Sequence, residues 1–79
     1  MSIKVYDKQV LVNFGKRLKA IRLAKGLSQQ DLANEVDIEL SQIYRLETAK
    51  TNPTLSTLAA VAKGLNMNLS ELFKGVELD

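Results

Sequence analysis

The stretch "LSQQDLANEVDIELSQIYRLE", residues 27–47, decides the fold. It holds two short segments of helical period: Leu32, Ala33 and Val36 give the first an inward face, and Ile43 and Leu46 give the second one,. Ser28 is placed to cap the first segment. Asp31 at its third helical position completes a capping box in which Asp stands for the usual Glu or Gln,. Between the segments lies "VDIEL", a corner without glycine. Asp37 is expected to make that corner at modest cost, because Asp is one of the few residues other than glycine that visit the left-handed region. Two helices of about eight residues joined by a turn of three or four suit a helix-turn-helix at about residues 28–47.

Upstream, Leu11, Phe14, Leu18 and Ile21 form one helical stripe between about Asp7 and Lys25,. Asp7 can cap its start, and Gly26 after Lys25 marks its end,. Gly15 weakens the N-terminal half, which allows a later start near Asn13. Residues 1–12 are therefore read as an arm or an extension of the first helix, residues 13–75 as the domain, and 76–79 as a tail. Downstream, "TNPT" is a loop in which Pro53 biases Asn52 towards extended backbone,. Thr54 then caps a helix carrying Leu55, Leu58, Val61, Ala62 and Leu65. Asn68 and Glu71 form another capping pattern before Leu69, Leu72 and Phe73, and Gly75 ends that helix,. The sum is an all-α chain of five helices, with "IKVY" (residues 3–6) the one candidate edge strand.

Composition narrows the function. A chain of 79 residues is one domain,, and it buries only about 60% of its unfolded surface. With neither Cys nor His, it has no disulfide and no expected metal site,. Helix packing and dimerisation remain as sources of stability. The N-terminus has no signal-peptide pattern and no stretch approaches the roughly 20 apolar residues of a membrane span, so a cytoplasmic protein without a membrane partner is expected. No Gly-rich phosphate loop or paired carboxylates around a pocket support an enzyme, and no cofactor is expected. The net charge of +2 is small. Its distribution is uneven: residues 1–25 hold Lys4, Lys8, Lys16, Arg17, Lys19, Arg22 and Lys25 against Asp7 alone, whereas residues 31–39 hold Asp31, Glu35, Asp37 and Glu39 without a base. That pattern gives either a basic face or an ordinary solvated helix surface.

Residues 17–73 closely resemble the lambda-repressor/Cro-like, XRE-type helix-turn-helix family. The matching elements are Arg22, Gly26-Leu27-Ser28-Gln29, Leu32-Ala33, Ile43, Leu46-Glu47, Pro53-Thr54, Leu58, Val61-Ala62 and Leu65. The resemblance implies a five-helix lambda-repressor-like domain that binds double-stranded DNA, usually as a dimer. Two positions depart from the family pattern, which has glycine where this chain has Asp37 and Ala49. At Ala49 the loop is expected to take a different path.

Residue roles follow from the resemblance and from side-chain chemistry. Ser41 and Arg45 lie four apart on the second helix of the motif, with Gln42 beside them. Arg45 is the first candidate for base contact, by a forked pair of bonds to guanine, and Gln42 the second, to adenine. Ser41 is unselective, and Leu40 either meets a thymine methyl or covers the core edge. Arg45 has a plain alternative, a surface ion pair with Glu39 or Glu35. Ser28 and Gln29, at a helix N-terminus that is itself an anion site, are candidates for phosphate contact. So are Tyr44, Thr48, Lys50, Thr51 and Asn52, which would position the domain without reading sequence. Lys16, Lys19 and Lys25 cannot all face one groove and serve only long-range attraction. The resemblance pairs Arg22 with Glu47 in a partly buried ion pair. Leu69, Leu72, Phe73, Val76 and Leu78 either fold back on the domain or form the interface of a homodimer, the favoured use. The expected function is that of a transcriptional regulator, a repressor that binds a palindromic operator as a homodimer; the alternative is an antitoxin-like module whose partner is another protein.

Overall fold

Helix ends govern how this chain folds, and the computed structural model, which describes residues 6–78, lets each be traced. Among the described residues there are five helices and no strand: α1 (Lys8–Ala24), α2 (Gln29–Val36), α3 (Leu40–Glu47), α4 (Leu55–Gly64) and α5 (Leu69–Leu72). The motif read from residues 28–47 is α2, a corner, and α3. Residues 3–5 of the candidate strand lie outside the described residues, and Tyr6 is a bend.

α1 begins at Lys8 and not near Asn13. The Asp7 carboxylate accepts from the backbone N–H of Gln9 at 3.0 Å and of Val10 at 3.5 Å, which satisfies two of the free donors at the helix start. Gly15 lies inside the helix for a packing reason. A Cβ there would stand 2.6 Å from the carbonyl oxygen of Glu47 and 2.8 Å from that of Leu46. Glycine costs about 1 kcal/mol of helix propensity and in return lets the end of α3 lie on the backbone of α1.

The other N-termini follow the sequence signals. In α2, Ser28 Oγ accepts from the Asp31 N–H at 3.0 Å while the Asp31 carboxylate accepts from the Ser28 N–H at 2.9 Å. Thr54 caps α4 through the Thr57 N–H, and Asn68 with Glu71 repeats the reciprocal box on α5. α3 differs, for Glu39 makes no side-chain capping bond.

One closure is used at four C-termini. Gly26, Asp37, Ala49 and Asn66 all take positive φ, at 71, 61, 58 and 60°. The next residue then returns its N–H to a carbonyl five back: Leu27 to Arg22, Ile38 to Ala33, Lys50 to Arg45 and Met67 to Ala62,. Asp37 thus makes the corner as expected. Ala49 corrects the expectation of a different path: it adopts the left-handed conformation that favours glycine, with its methyl group buried at 2% exposure. For an alanine this costs roughly 1–2 kcal/mol.

Leu18, Leu32, Ile43, Val61 and Leu72 are fully buried at the centre of the core. Phe14 and Phe73 meet at 5.4 Å between ring centroids, closing α1 over the C-terminal segment. Leu55, placed on the apolar stripe of α4 by its spacing, is instead exposed, because it is the first residue of the helix and lies beyond the core edge. Leu72 cannot serve a dimer interface directly: it has no exposed surface and belongs to the core of its own domain. Leu69, Phe73 and Val76 are half-buried against that core, and only Leu78 of the five projects freely. Two donors on α1 fasten this region. Arg17 Nη2 donates to the Glu71 carbonyl at 2.8 Å and Asn13 Nδ2 to the Glu77 carbonyl at 3.1 Å. No helix among the described residues is long and apolar enough to cross a membrane.

Candidate nucleic-acid interface

The side chains of a helix recur every 100°, so an eight-residue helix with Ile43 and Leu46 in the core turns Ser41, Arg45 and Thr48 outward along one line,. Gln42 and Tyr44 flank that line. Burial follows this geometry: Ile43 and Leu46 are buried, while Leu40, Ser41, Gln42, Tyr44, Arg45 and Thr48 are exposed. Among the described residues the side chains of Ser41, Gln42 and Arg45 enter no hydrogen bond or ion pair, so Arg45 is not paired with Glu39 or Glu35. Their donors and acceptors all remain available to a ligand.

Behind this face α3 is held by charge. Arg22 Nε donates to Glu47 Oε2 at 2.6 Å and Nη2 to Oε1 at 3.0 Å, a forked pair whose side chains are 8% and 3% exposed. Arg22 Nη1 also donates to the Leu27 carbonyl at 2.9 Å, tying in the turn before α2. Hydrogen bonding to Glu47 raises the Arg22 pKa above its ordinary value, against the opposing effect of burial, so the guanidinium stays charged,. Gln29 Nε2 adds a bond to Glu47 Oε1 at 3.1 Å. One carboxylate at the end of α3 is therefore gripped from α1 and from the start of α2. Removing either member of such a pair strands the other charge, at about 3–5 kcal/mol.

The candidate phosphate ligands differ in what they have left to offer. Gln29 commits one of the two N–H groups of its side-chain amide to Glu47, which leaves the other, and its backbone N–H at the start of α2, free for an anion,. Ser28 Oγ is used as an acceptor, so its hydroxyl proton is still free to donate. The Thr48 hydroxyl donates to the Tyr44 carbonyl at 2.7 Å, and reaching a phosphate requires that bond to break. Lys50 and Asn52 are exposed, Thr51 half-buried, and Tyr44 keeps its hydroxyl unengaged. Thr51, Asn52, Pro53, Thr54 and Thr57 line a cleft of about 200 Å³ facing Gln42 and Arg45. On the other flank, Gln30, Asn34, Asp37 and Glu39 give an acidic and neutral rim. Within the interface the positive charges are thus Arg45 and Lys50, beside a cleft that carries no carboxylate.

Two contacts were invisible to sequence reading. The Gln29–Glu47 bond links residues 18 apart, and Lys8 Nζ donates to the Ala49 carbonyl at 2.6 Å across 41 positions. The Gln29 contact has a signal in retrospect, since the residue after an N-cap points along the helix start towards whatever packs there. Lys8 has none.

Residues 18–72 match the helix-turn-helix family HTH_3. The control protein C.MunI of a Mycoplasma species is 35% identical over 69 residues, which cover 86% of this chain and 93% of that protein. An uncharacterised HTH-type transcriptional regulator of Rickettsia conorii is 36% identical over 63 residues, covering 80% of this chain and 50% of the relative. This chain thus spans about half the length of that regulator. Among solved structures, the restriction-modification controller protein C.AhdI from Aeromonas hydrophila superposes with a TM-score of 0.77 at 38% identity, over 80% of this chain and 96% of that one.

Proposed function

Because the chain belongs to the lambda-repressor/Cro-like, XRE-type helix-turn-helix DNA-binding family, we propose that it regulates transcription by reading a palindromic operator as a homodimer, with α3 in the major groove, and that it represses. A helix fits a groove about 12 Å wide, and an eight-residue one presents only its central outward side chains to base edges. Arg45 donates its fork to guanine O6 and N7, Gln42 reads adenine N6 and N7, Ser41 bonds without selectivity, and Leu40 packs on a thymine methyl. Lys50, Thr51, Asn52, Tyr44 and the start of α2 at Ser28 and Gln29 hold phosphates and fix the register. Repression follows when such a complex occupies a promoter.

One observation carries this reading: Ser41, Gln42 and Arg45 are exposed and unengaged on a helix whose inner side is fixed by Arg22, Glu47 and Gln29. A helix braced from behind loses little backbone freedom on binding, so the ordering cost is confined to the side chains that make the bonds. The dimer rests on Leu78 and the half-buried edge of Leu69, Phe73 and Val76, with Leu72 supporting that edge from within. Two-fold pairing then sets the recognition helices about 34 Å apart, one turn of the duplex.

Binding-site selection from random duplexes tests the whole proposal. The expected product is an inverted repeat whose half-sites are centred about 10 base pairs apart, bound with an affinity that falls steeply as salt rises. Selection of no consensus, or of a sequence without symmetry, overturns the sequence-specific dimer.

A further inference from the structure

We propose that Lys8 is a positioning residue for the DNA-facing loop 48–52, acting through the carbonyl of Ala49 and not through DNA. The inference rests on the reading of that loop as a phosphate-contacting one, and it starts from a backbone angle, a buried methyl group and one hydrogen bond. Ala49 holds φ at 58° although it carries a Cβ. Its methyl group is buried, so any relaxation of that turn must also withdraw an apolar group from the core. Lys8 Nζ, projecting from the first residue of α1, donates to its carbonyl oxygen at 2.6 Å. Among the described residues no other side chain donates to a carbonyl of residues 48–52.

The place of the contact matters. The final carbonyls of α3 carry the negative end of its dipole, and α1 runs directly behind them, close enough that Gly15 is required opposite Glu47 and Leu46,. An ammonium group at this point satisfies the Ala49 carbonyl and complements that dipole. Holding Ala49 left-handed lets Lys50 return its N–H to Arg45 at 2.9 Å, which sets the direction in which Lys50, Thr51 and Asn52 leave the helix. Thr51 and Asn52 line the cleft that Gln42 and Arg45 also line, and Lys50 directly precedes them in the chain. Lys8 therefore sets the phosphate-contacting wall relative to the base-reading face. Glycine at residue 49, needing no such support for positive φ, makes the lysine dispensable.

The test uses Lys8→Met, which keeps the stem and removes the charge, alone and combined with Ala49→Gly, on the full chain. In the free protein, NMR should show Lys8→Met shifting the amides of residues 49–52 and speeding hydrogen exchange at Lys50, and Ala49→Gly restoring the exchange protection. On the selected duplex, Lys8→Met should weaken binding about tenfold, the scale of one charge-assisted contact, with the salt slope nearly unchanged. The double variant should recover most of that loss. Unaltered loop amides in Lys8→Met overturn the tether, whatever DNA does. Altered amides with unaltered affinity overturn its role in binding. A salt slope reduced by about 0.9 with no rescue by Ala49→Gly makes Lys8 a direct phosphate ligand instead. If the parent protein binds no duplex, the DNA reading fails while the amide result still decides the tether.

Discussion

The two sides of α3 are built for opposite ends. Inward, both carboxylate oxygens of Glu47 have partners and Ile43 and Leu46 are buried in the core. Outward, Ser41, Gln42 and Arg45 have no partner at all among the described residues. In a protein this small, such a division is informative. A core that buries about 60% of the unfolded surface leaves little stability to spare, and leaving a cluster of long polar side chains unengaged contributes nothing to folding. The inner side supplies rigidity, and the outer side leaves its donors and acceptors available. Mutations on this one helix should therefore separate cleanly into those that cost the fold and those that cost recognition.

The largest effect is expected from Glu47→Ala, which strands the buried Arg22 guanidinium. Urea unfolding should show a loss of about 3–5 kcal/mol, and DNA binding should fall only in proportion to the unfolded fraction. A variant that melts like the parent yet fails to bind would move Glu47 to the outer side of the comparison. Next comes Gly15→Ala. Its Cβ would meet two backbone carbonyls of α3 at under 3 Å, so α1 and α3 must separate, at about 1–3 kcal/mol by analogy with overpacking. Unchanged stability there would mean that α3 is not held by its close approach to α1.

Arg45→Ala reverses the pattern. Stability should change by less than about 0.5 kcal/mol, as for an exposed residue without partners, while discrimination at one base pair of the selected site falls by about 1–3 kcal/mol. A competition assay against single-base variants of the duplex reads this directly. The smallest effects test the two corners against each other. Ala49→Gly should gain about 1 kcal/mol in thermal unfolding by removing Cβ strain. Asp37→Gly should stay within about 0.5 kcal/mol, because Asp already tolerates that conformation. A gain at Ala49 no larger than that at Asp37 would show that the buried methyl of Ala49 and its Lys8 contact offset the strain in full.

These two corners also mark what was legible in the sequence. Asp37 was readable because everything it needs is local: its own tolerance of positive φ, and Ile38 next to it to return the closing bond. The caps at Ser28, Thr54 and Asn68 were readable for the same reason, and so was the inward face carrying Leu32, Ile43 and Val61. Ala49 was not. Its conformation is supported by a residue 41 positions away and by the cost of exposing its methyl, neither of which leaves a local pattern. Gly15 likewise reads as a helix breaker until the backbone of α3 is seen against it. Of the interface, the outward line Ser41, Arg45 and Thr48 follows from period alone. That Gln29 and Thr48 already spend a donor inside the molecule does not: the Gln29 partner lies on another helix, and the Thr48 hydroxyl turns back to the Tyr44 carbonyl of its own helix, a choice of rotamer that the period leaves open. Leu72 and Leu69 show the same limit at the C-terminus: apolar spacing marks both, and only packing separates the residue with no free surface from the one that keeps an edge.

The most direct test takes the selected duplex and a scrambled duplex of the same length and measures the ratio of affinities for the Gln42→Ala/Arg45→Ala double variant, with thermal melting in parallel. The ratio should collapse towards one while the melting temperature stays at that of the parent protein. A double variant that keeps the parent's ratio contradicts this expectation, and the outward side of α3 is then not what reads the bases.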